Sequence, residues 1–212
     1  MLENKYINNV VVIGYSGHAF VVVDAAIDIG LNVTHYSDKV KSKNNPFQLN
    51  YLGYEHDNDF FNANRDFDYI LGVGCNKIRK KNHQFLFSEN KNILNVIHPS
   101  ASISKYVKIG NGTFISKNTA INTLSAIKDG CIINTGAIIE HECVIGNYSH
   151  IGPGAVLAGN VVIGDSCFIG ANSTVIQGVK LGDNVIVGAG TVVIKDVADN
   201  ITIVGNPARI IK

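Results

Sequence analysis

"CIINTGAIIEHECVIGNYSHIGPGAVLAGN", residues 131–160, advances in steps of six. Ile133, Ile139, Ile145, Ile151 and Leu157 mark the beat, and the residue two places before each is small: Cys131, Ala137, Cys143, Ser149 and Ala155. Side chains alternate along an extended chain, so each aliphatic residue shares one side of a short strand with its small predecessor. A helix is excluded, because a period of six keeps no single face of a 3.6-residue spiral apolar. Gly136, Gly154 and Asn160 stand where the strands must turn, and these residue types accept backbone angles closed to branched side chains.

Followed outward, the beat begins at Ile97 and continues through Ile103, Ile109, Ile115, Ile121 and Ile127. Beyond the quoted stretch it runs through Ile163, Ile169, Val175, Leu181 and Val187 to Val193 without a slip. Three hexads close one triangular coil of 18 residues, so residues 97–193 are expected to form a parallel β-helix of between five and six coils, rising about 4.8 Å per coil. Cys131, Cys143 and Cys167 all take the small inward place, where a thiol serves as a compact hydrophobe. With Cys75 they are the only cysteines, and no C-x-x-C pair suggests a zinc site or a disulfide frame. The closing "ITIVGNPARIIK", residues 201–212, is expected to supply a strand and cap over the open end of the coil.

The first ninety residues follow another rule. "NNVVVIGYSGHAFVVVDAAIDIG", residues 8–30, reads as a buried strand to Ile13, a glycine turn, and a helix from about His18 to Ile29 stopped by Gly30. "LNVTHYSD" (31–38) and "FDYILGVG" (67–74) are further strands, Lys77 to about Ser88 a basic helix, and "NILNVI" (92–97) the lead into the coil. Residues 40–64, rich in Asn and Asp, are expected as loops with a short strand near Tyr51. Alternating strands and helices imply a Rossmann-like small parallel sheet. The organisation is therefore α/β over 1–94 and a β-helix with its cap over 95–212.

Composition narrows the partners. A net charge of +1, with no basic run longer than "IRKK" at 78–81, provides no stripe for nucleic acid. "MLENKYINN" lacks the layout of a signal peptide, and no apolar run approaches the roughly 18 residues that cross a bilayer, so a cytoplasmic protein without membrane insertion is expected. The turn after Ile13 has Gly14, but Ser16 and Ala19 replace the later glycines of the dinucleotide fingerprint, which argues against NAD. Free backbone N–H groups there still suit a phosphate or another polar ligand group, the alternative being a plain βα turn.

Among the histidines, His141 lies two residues past Ile139, at a corner that points away from the core, between Glu140 and Glu142. Its neighbours one coil away are Thr123 and Gly159, and the glycine leaves space. An imidazole so placed can take a proton near neutral pH, and a carboxylate beside it would fix its orientation, although adjacency in sequence does not ensure contact. His150 directly precedes Ile151 and faces outward from a flat strand, which suits either packing between subunits or contact with an acyl donor. His98 belongs to the turn into the first repeat, and His35, His56 and His83 show no pattern.

Taken together, "GYSGHAFVVVDA" (14–25), "GVGCNKIRKK" (72–81), "IHPSA" (97–101) and "NTGAIIEHECVIGNYSHIGPGA" (134–155) resemble the bacterial sugar-nucleotide acetyltransferases of the hexapeptide-repeat superfamily. These include the UDP-4-amino-4,6-dideoxy-N-acetyl-α-D-glucosamine N-acetyltransferases of the bacillosamine pathway, with sialic-acid O-acetyltransferases as relatives. The resemblance implies a left-handed β-helix, a homotrimer, acetyl-CoA in the groove between two β-helices, a UDP-linked amino sugar held by the first domain, and no metal. It implies His141 as general base with Glu142 as its acid partner, and His150 at the thioester end. Ala171 and Ala189, which stack with Pro153 at one corner, correspond to main-chain contacts along the cofactor. Ser16, Gly17, His18, Ser37, Asp38 and Gly74 correspond to sugar-nucleotide contacts. Two departures stand out: Ser37 and Asp38 replace paired acids, and Cys75 replaces an Asn or Asp.

Other readings remain open on sequence alone. The acceptor is an amine or a hydroxyl, and the nucleotide UDP, GDP or dTDP. A zinc lyase of the γ-carbonic-anhydrase type shares such a coil, but His141 and His150 occupy different places in the hexad and only His98 accompanies them. A non-catalytic sugar-nucleotide-binding trimer is the third alternative.

Overall fold

The structure, a computed structural model, describes residues 8–57, 60–61 and 66–212. Most of the opening peptide and parts of the expected 40–64 loop (58–59 and 62–64) lie outside the described residues.

Four parallel strands form the first sheet: β1 (Asn9–Ile13), β2 (Val33–Ser37), β3 (Asn50–Tyr51) and β4 (Phe67–Leu71), in the order β3-β2-β1-β4. β1 is central and covered on both faces, which is why it reads as an unbroken aliphatic run. Helix α1 (Gly17–Asp28) lays Ala19, Val22, Val23 and Ala26 on one face, against Val10, Val12 and Ile70. Helix α2 (Asn76–Ser88) brings Leu86 to the other face, beside Val11, Ile13 and Tyr69. Each helix begins one residue before its expected start. Gly30, at φ +81°, ends α1 with its N–H on the Ile27 carbonyl.

The α1 cluster also contains Val96, Phe114 and Ile132. All three belong to the solenoid, so the sheet's α1 side is sealed by the coil. The chain passes from one to the other between Ile93, bridged to Tyr69, and the strand Val96–Ile97.

From Val96–Ile97 to Val192–Val193 the described chain makes seventeen two-residue strands in three parallel faces, between five and six coils at three strands per coil. Each residue pairs with the one eighteen places on, as Ile133 does with Ile151. The first face carries Ile132–Ile133 and His150–Ile151, the second Ile138–Ile139 and Val156–Leu157, the third Val144–Ile145 and Val162–Ile163. The aliphatic positions and Cys131, Cys143 and Cys167 fill one continuous core.

Corners obey the same period: from Gly112 to Gly190, one residue in every six has a left-handed backbone. Non-glycine residues there cost about 1–2 kcal/mol each. Hydrogen bonds between coils offset that cost, as when Glu142 N–H donates to Thr123 O and Asn160 N–H to His141 O. At the far end Thr202–Val204 joins the first face beside Ile186–Val187 and folds back on Arg209–Ile210, providing the expected cap.

Candidate active site

His141 projects from the corner between the second and third faces. Its Nδ1 lies 3.1 Å from Glu142 Oε2, with the two side chains about half exposed. Neighbouring residues on a strand diverge, but Glu142 is the left-handed corner residue, at φ +61°. The turn brings its carboxylate back onto the preceding ring. A carboxylate accepts only, so Nδ1 carries a proton, and in the neutral ring Nε2 keeps the lone pair. The ring lies over the Gly159 Cα; a Cβ there would be 2.5 Å from Nε2. The expected gap above His141 is therefore a seat for the imidazole.

His150 points away from its coil but is 8% exposed, because the first domain covers it. Within the chain the ring meets Phe168 edge-on at 5.1 Å and lies 6.3 Å from His18. Asn134 donates its amide to His150 Nε2 at 3.1 Å, which leaves the proton on Nδ1. That Nδ1 and His18 Nε2 are buried without a partner. Burial, reinforced by the Arg79 guanidinium, lowers His18 to about 4 and His150 to about 3, the latter also through His18. Both rings are neutral near pH 7, with the His150 ring also against the Gly74 backbone.

Arg79 joins this region to the coil. It is 1% exposed and its donors reach the carbonyls of Val73, Gly74, Gly130 and Tyr148 and the Asn76 side chain, at 2.7–3.1 Å. Neither Arg79 nor Asn134 carried a sequence signal, since a basic helix and a polar corner usually face water.

A cavity of about 370 Å³ opens beside the glycine turn, lined by Gly14, Ser16, Asp38, Gly74, Glu55 and Asn82 among others. Tyr15 N–H donates to Asp38 Oδ2 at 2.9 Å, tying the turn to the end of β2. Ser16 is the N-cap of α1, yet its hydroxyl makes no capping bond. Gly17 is exposed with open space where a Cβ would stand. Ser37 does not line the cavity. It is wholly buried, and its hydroxyl points to Glu55 Oε2 at 2.6 Å and to the Gly53 carbonyl. The place expected for Ser37 is taken by Glu55, which sits in the stretch where no periodicity guided the reading. Among the described residues no group of three or more His, Cys, Asp or Glu is placed to hold a metal.

Residues 9–86 match the family described as the PglD N-terminal domain, residues 125–159 the bacterial transferase hexapeptide (six repeats), and residues 160–195 the hexapeptide repeat of succinyl-transferase. PerB from Caulobacter crescentus, solved with CoA and GDP-perosamine, is 34% identical over 97% of this chain and 98% of its own, with a TM-score of 0.91. The acetyltransferase domain of PglB from Neisseria gonorrhoeae, solved with acetyl coenzyme A, is 30% identical over 96% and 99%, at 0.89. The chain belongs to the hexapeptide-repeat sugar N-acetyltransferases. WeeI from Acinetobacter baumannii is a further match, 27% identical over 95% and 99%, at 0.86.

In this hexapeptide-repeat acetyltransferase, with its left-handed β-helix, the anticipated residues fall into separate places. Ser16, Asp38 and Gly74 line the cavity, Gly17 opens α1 beside it, and His18 of α1 faces His150 of the coil. Ala171, half-buried, and Ala189, exposed, stack at the corner between the first and second faces, where Gly190 N–H bonds the Ala171 carbonyl. His141 stands at the other edge of the second face. The chain therefore keeps the His141 imidazole apart from its own His150.

Proposed function

We propose that this chain transfers the acetyl group of acetyl-CoA to the amine of a nucleotide-linked amino sugar, with His141 as general base. Residues 1–94 bind the nucleotide sugar and 95–212 carry out acyl transfer, in the cytoplasm, where acetyl-CoA is at hand. No helix of the described residues is long and apolar enough to cross a membrane. The observation that carries the reading is the His141–Glu142 pair over Gly159, which engages Nδ1 and leaves Nε2 for an incoming amine.

In the proposed reaction the sugar amine attacks the thioester carbonyl while Nε2 takes its proton. The Glu142 carboxylate stabilises the imidazolium, and a backbone N–H supports the oxyanion that develops. Collapse expels the CoA thiolate, which receives the proton back from His141. No acyl-enzyme is needed.

The separation of His141 from His150 supports a homotrimer, in which the corner of one protomer meets the first face of the next. Exposed Phe168 and Ile186 on that face, and Ile138 and Ile176 on the second, would be covered by such packing. Ala171 and Ala189 would then edge the groove for the pantetheine arm. The sequence-based expectation of a UDP sugar widens to a nucleoside-diphosphate amino sugar, because PerB was solved with GDP-perosamine.

Thiol release from acetyl-CoA, followed across a panel of nucleotide amino sugars, tests the activity. His141→Ala is expected to lower turnover by roughly 10²-fold or more while nucleotide-sugar binding survives. Near-normal turnover in that variant would reject the assignment.

A further inference from the structure

We propose that Glu55 selects guanine, so that the sugar substrate is carried on GDP; this rests on the reading of the cavity as the nucleotide-sugar site. Glu55 lines the cavity and yet is 3% exposed. Its Oε2 accepts the Ser37 hydroxyl at 2.6 Å, and its Oε1 accepts the Asn82 amide at 2.8 Å. Asn82 is in turn bonded through Oδ1 to His56 Nε2 at 3.0 Å. Ser37 and Asn82 are both buried, so the carboxylate is held rigidly.

Two features of this arrangement point to a ligand. Among the described residues no Lys or Arg forms an ion pair with Glu55, so a carboxylate is buried on neutral donors alone. Each oxygen has accepted one hydrogen bond and retains capacity for a second, at the edge of an open cavity. The other carboxylate lining the cavity, Asp38, ends β2 and already accepts the N–H groups of Tyr15 and Lys39. The end of that strand is where a ribose hydroxyl is bound in sheets of this kind, which leaves Glu55 for the base.

A carboxylate offering two parallel acceptors matches two N–H donors side by side. Guanine presents such a pair, N1–H and the 2-amino group. Uracil and thymine present a single N–H between two carbonyl oxygens, and both oxygens would face the negative charge. Adenine and cytosine place a ring acceptor beside their amino group. Attraction to guanine and repulsion of the pyrimidine diones thus come from the same side chain.

Calorimetric binding of GDP, UDP and dTDP to the unmodified protein, together with CoA-release rates on the corresponding amino sugars, tests the assignment. GDP is expected to bind about 10-fold or more tightly than either rival. Glu55→Gln can still accept from Asn82 and can donate to Ser37, but it loses one of the two acceptors facing the base. In that variant the preference for GDP is expected to shrink by about 10-fold, in KM rather than kcat. Preference of the unmodified protein for UDP or dTDP would overturn the guanine assignment and leave the nucleotide-sugar reading standing. An unchanged ranking in Glu55→Gln would overturn the role of Glu55. Failure of all three nucleotides to bind would remove the underlying reading as well. Should Glu55→Gln not fold, the ranking of the unmodified protein decides the matter.

Discussion

A left-handed backbone at Glu142 turns a sequence neighbour of His141 into its hydrogen-bond partner. The strain alone signals nothing, because Leu124 and Tyr148 adopt the same angle at equivalent corners. What distinguishes residue 142 is that its carboxylate lands on the preceding ring. The glycine one coil on completes the arrangement, since any Cβ at 159 enters the space of the imidazole. Gly159 has an ordinary backbone angle, so alanine would leave the coil intact and push the half-exposed ring aside. Gly159→Ala is expected to lower kcat about 10-fold or more with the melting temperature nearly unchanged, measured by steady-state rates alongside thermal unfolding. An equal loss of stability would mean that the glycine serves the fold instead. His141 was legible in the sequence as a corner imidazole with space beside it. Its contact with Glu142 was not, because a backbone angle decides it.

The solenoid was legible almost whole, down to the number of coils and the capping strand. Each strand's inward face follows from a residue and the one two places before it, and the partner lies a fixed eighteen residues away, so no long-range choice is left open. The three cysteines in that pattern bear this out: Cys131, Cys143 and Cys167 are wholly enclosed, while Cys75, at the start of α2, is exposed. Burial raises the Cys131 thiol to about 12 and Cys167 to about 11, and also raises Cys143. Reaction with a thiol reagent requires both access and thiolate. One thiol per chain is expected to react with a chromogenic disulfide in the native protein and four after denaturation; rapid reaction of three or more in the native state would contradict the inward placement. The α/β elements were legible to within about three residues, and the short strand expected near Tyr51 is β3, but the course of the loop around it, which contains Glu55, was not. Loop positions carry no period, and their surroundings come from distant segments.

At the scale of the molecule, the contact between sheet and solenoid concentrates groups that burial keeps from gaining protons. His18 is lowered to about 4 and His150 to about 3 by burial and by the nearby Arg79 guanidinium, and burial lowers His83 as well. In the unfolded chain these histidines titrate near the ordinary value of about 6.5. Between that pH and the lowered values the unfolded state binds protons that the folded state refuses. Stability is therefore full above about pH 6.5 and falls as the pH drops toward 4, by roughly 1.4 kcal/mol per pH unit for each of His18 and His150. Melting temperatures recorded from pH 8 to pH 4.5 are expected to hold down to about 6.5 and then decline, and less steeply in His150→Gln. A flat profile through that range would show that the interface admits protons freely.

The amino-acid order alone determined the β-helix, its length and cap, the small parallel sheet, and the corner on which His141 stands. The coil follows from a periodicity in which every contact is set by a constant separation along the chain, and the sheet from the alternation of strands and helices. The tertiary structure alone decided that His150 is covered by its own first domain, that Arg79 clamps the two units through backbone carbonyls, and that Glu55 and not Ser37 faces the cavity. Those contacts join residues separated by irregular loops, whose course depends on how whole surfaces pack. No local pattern encodes that packing.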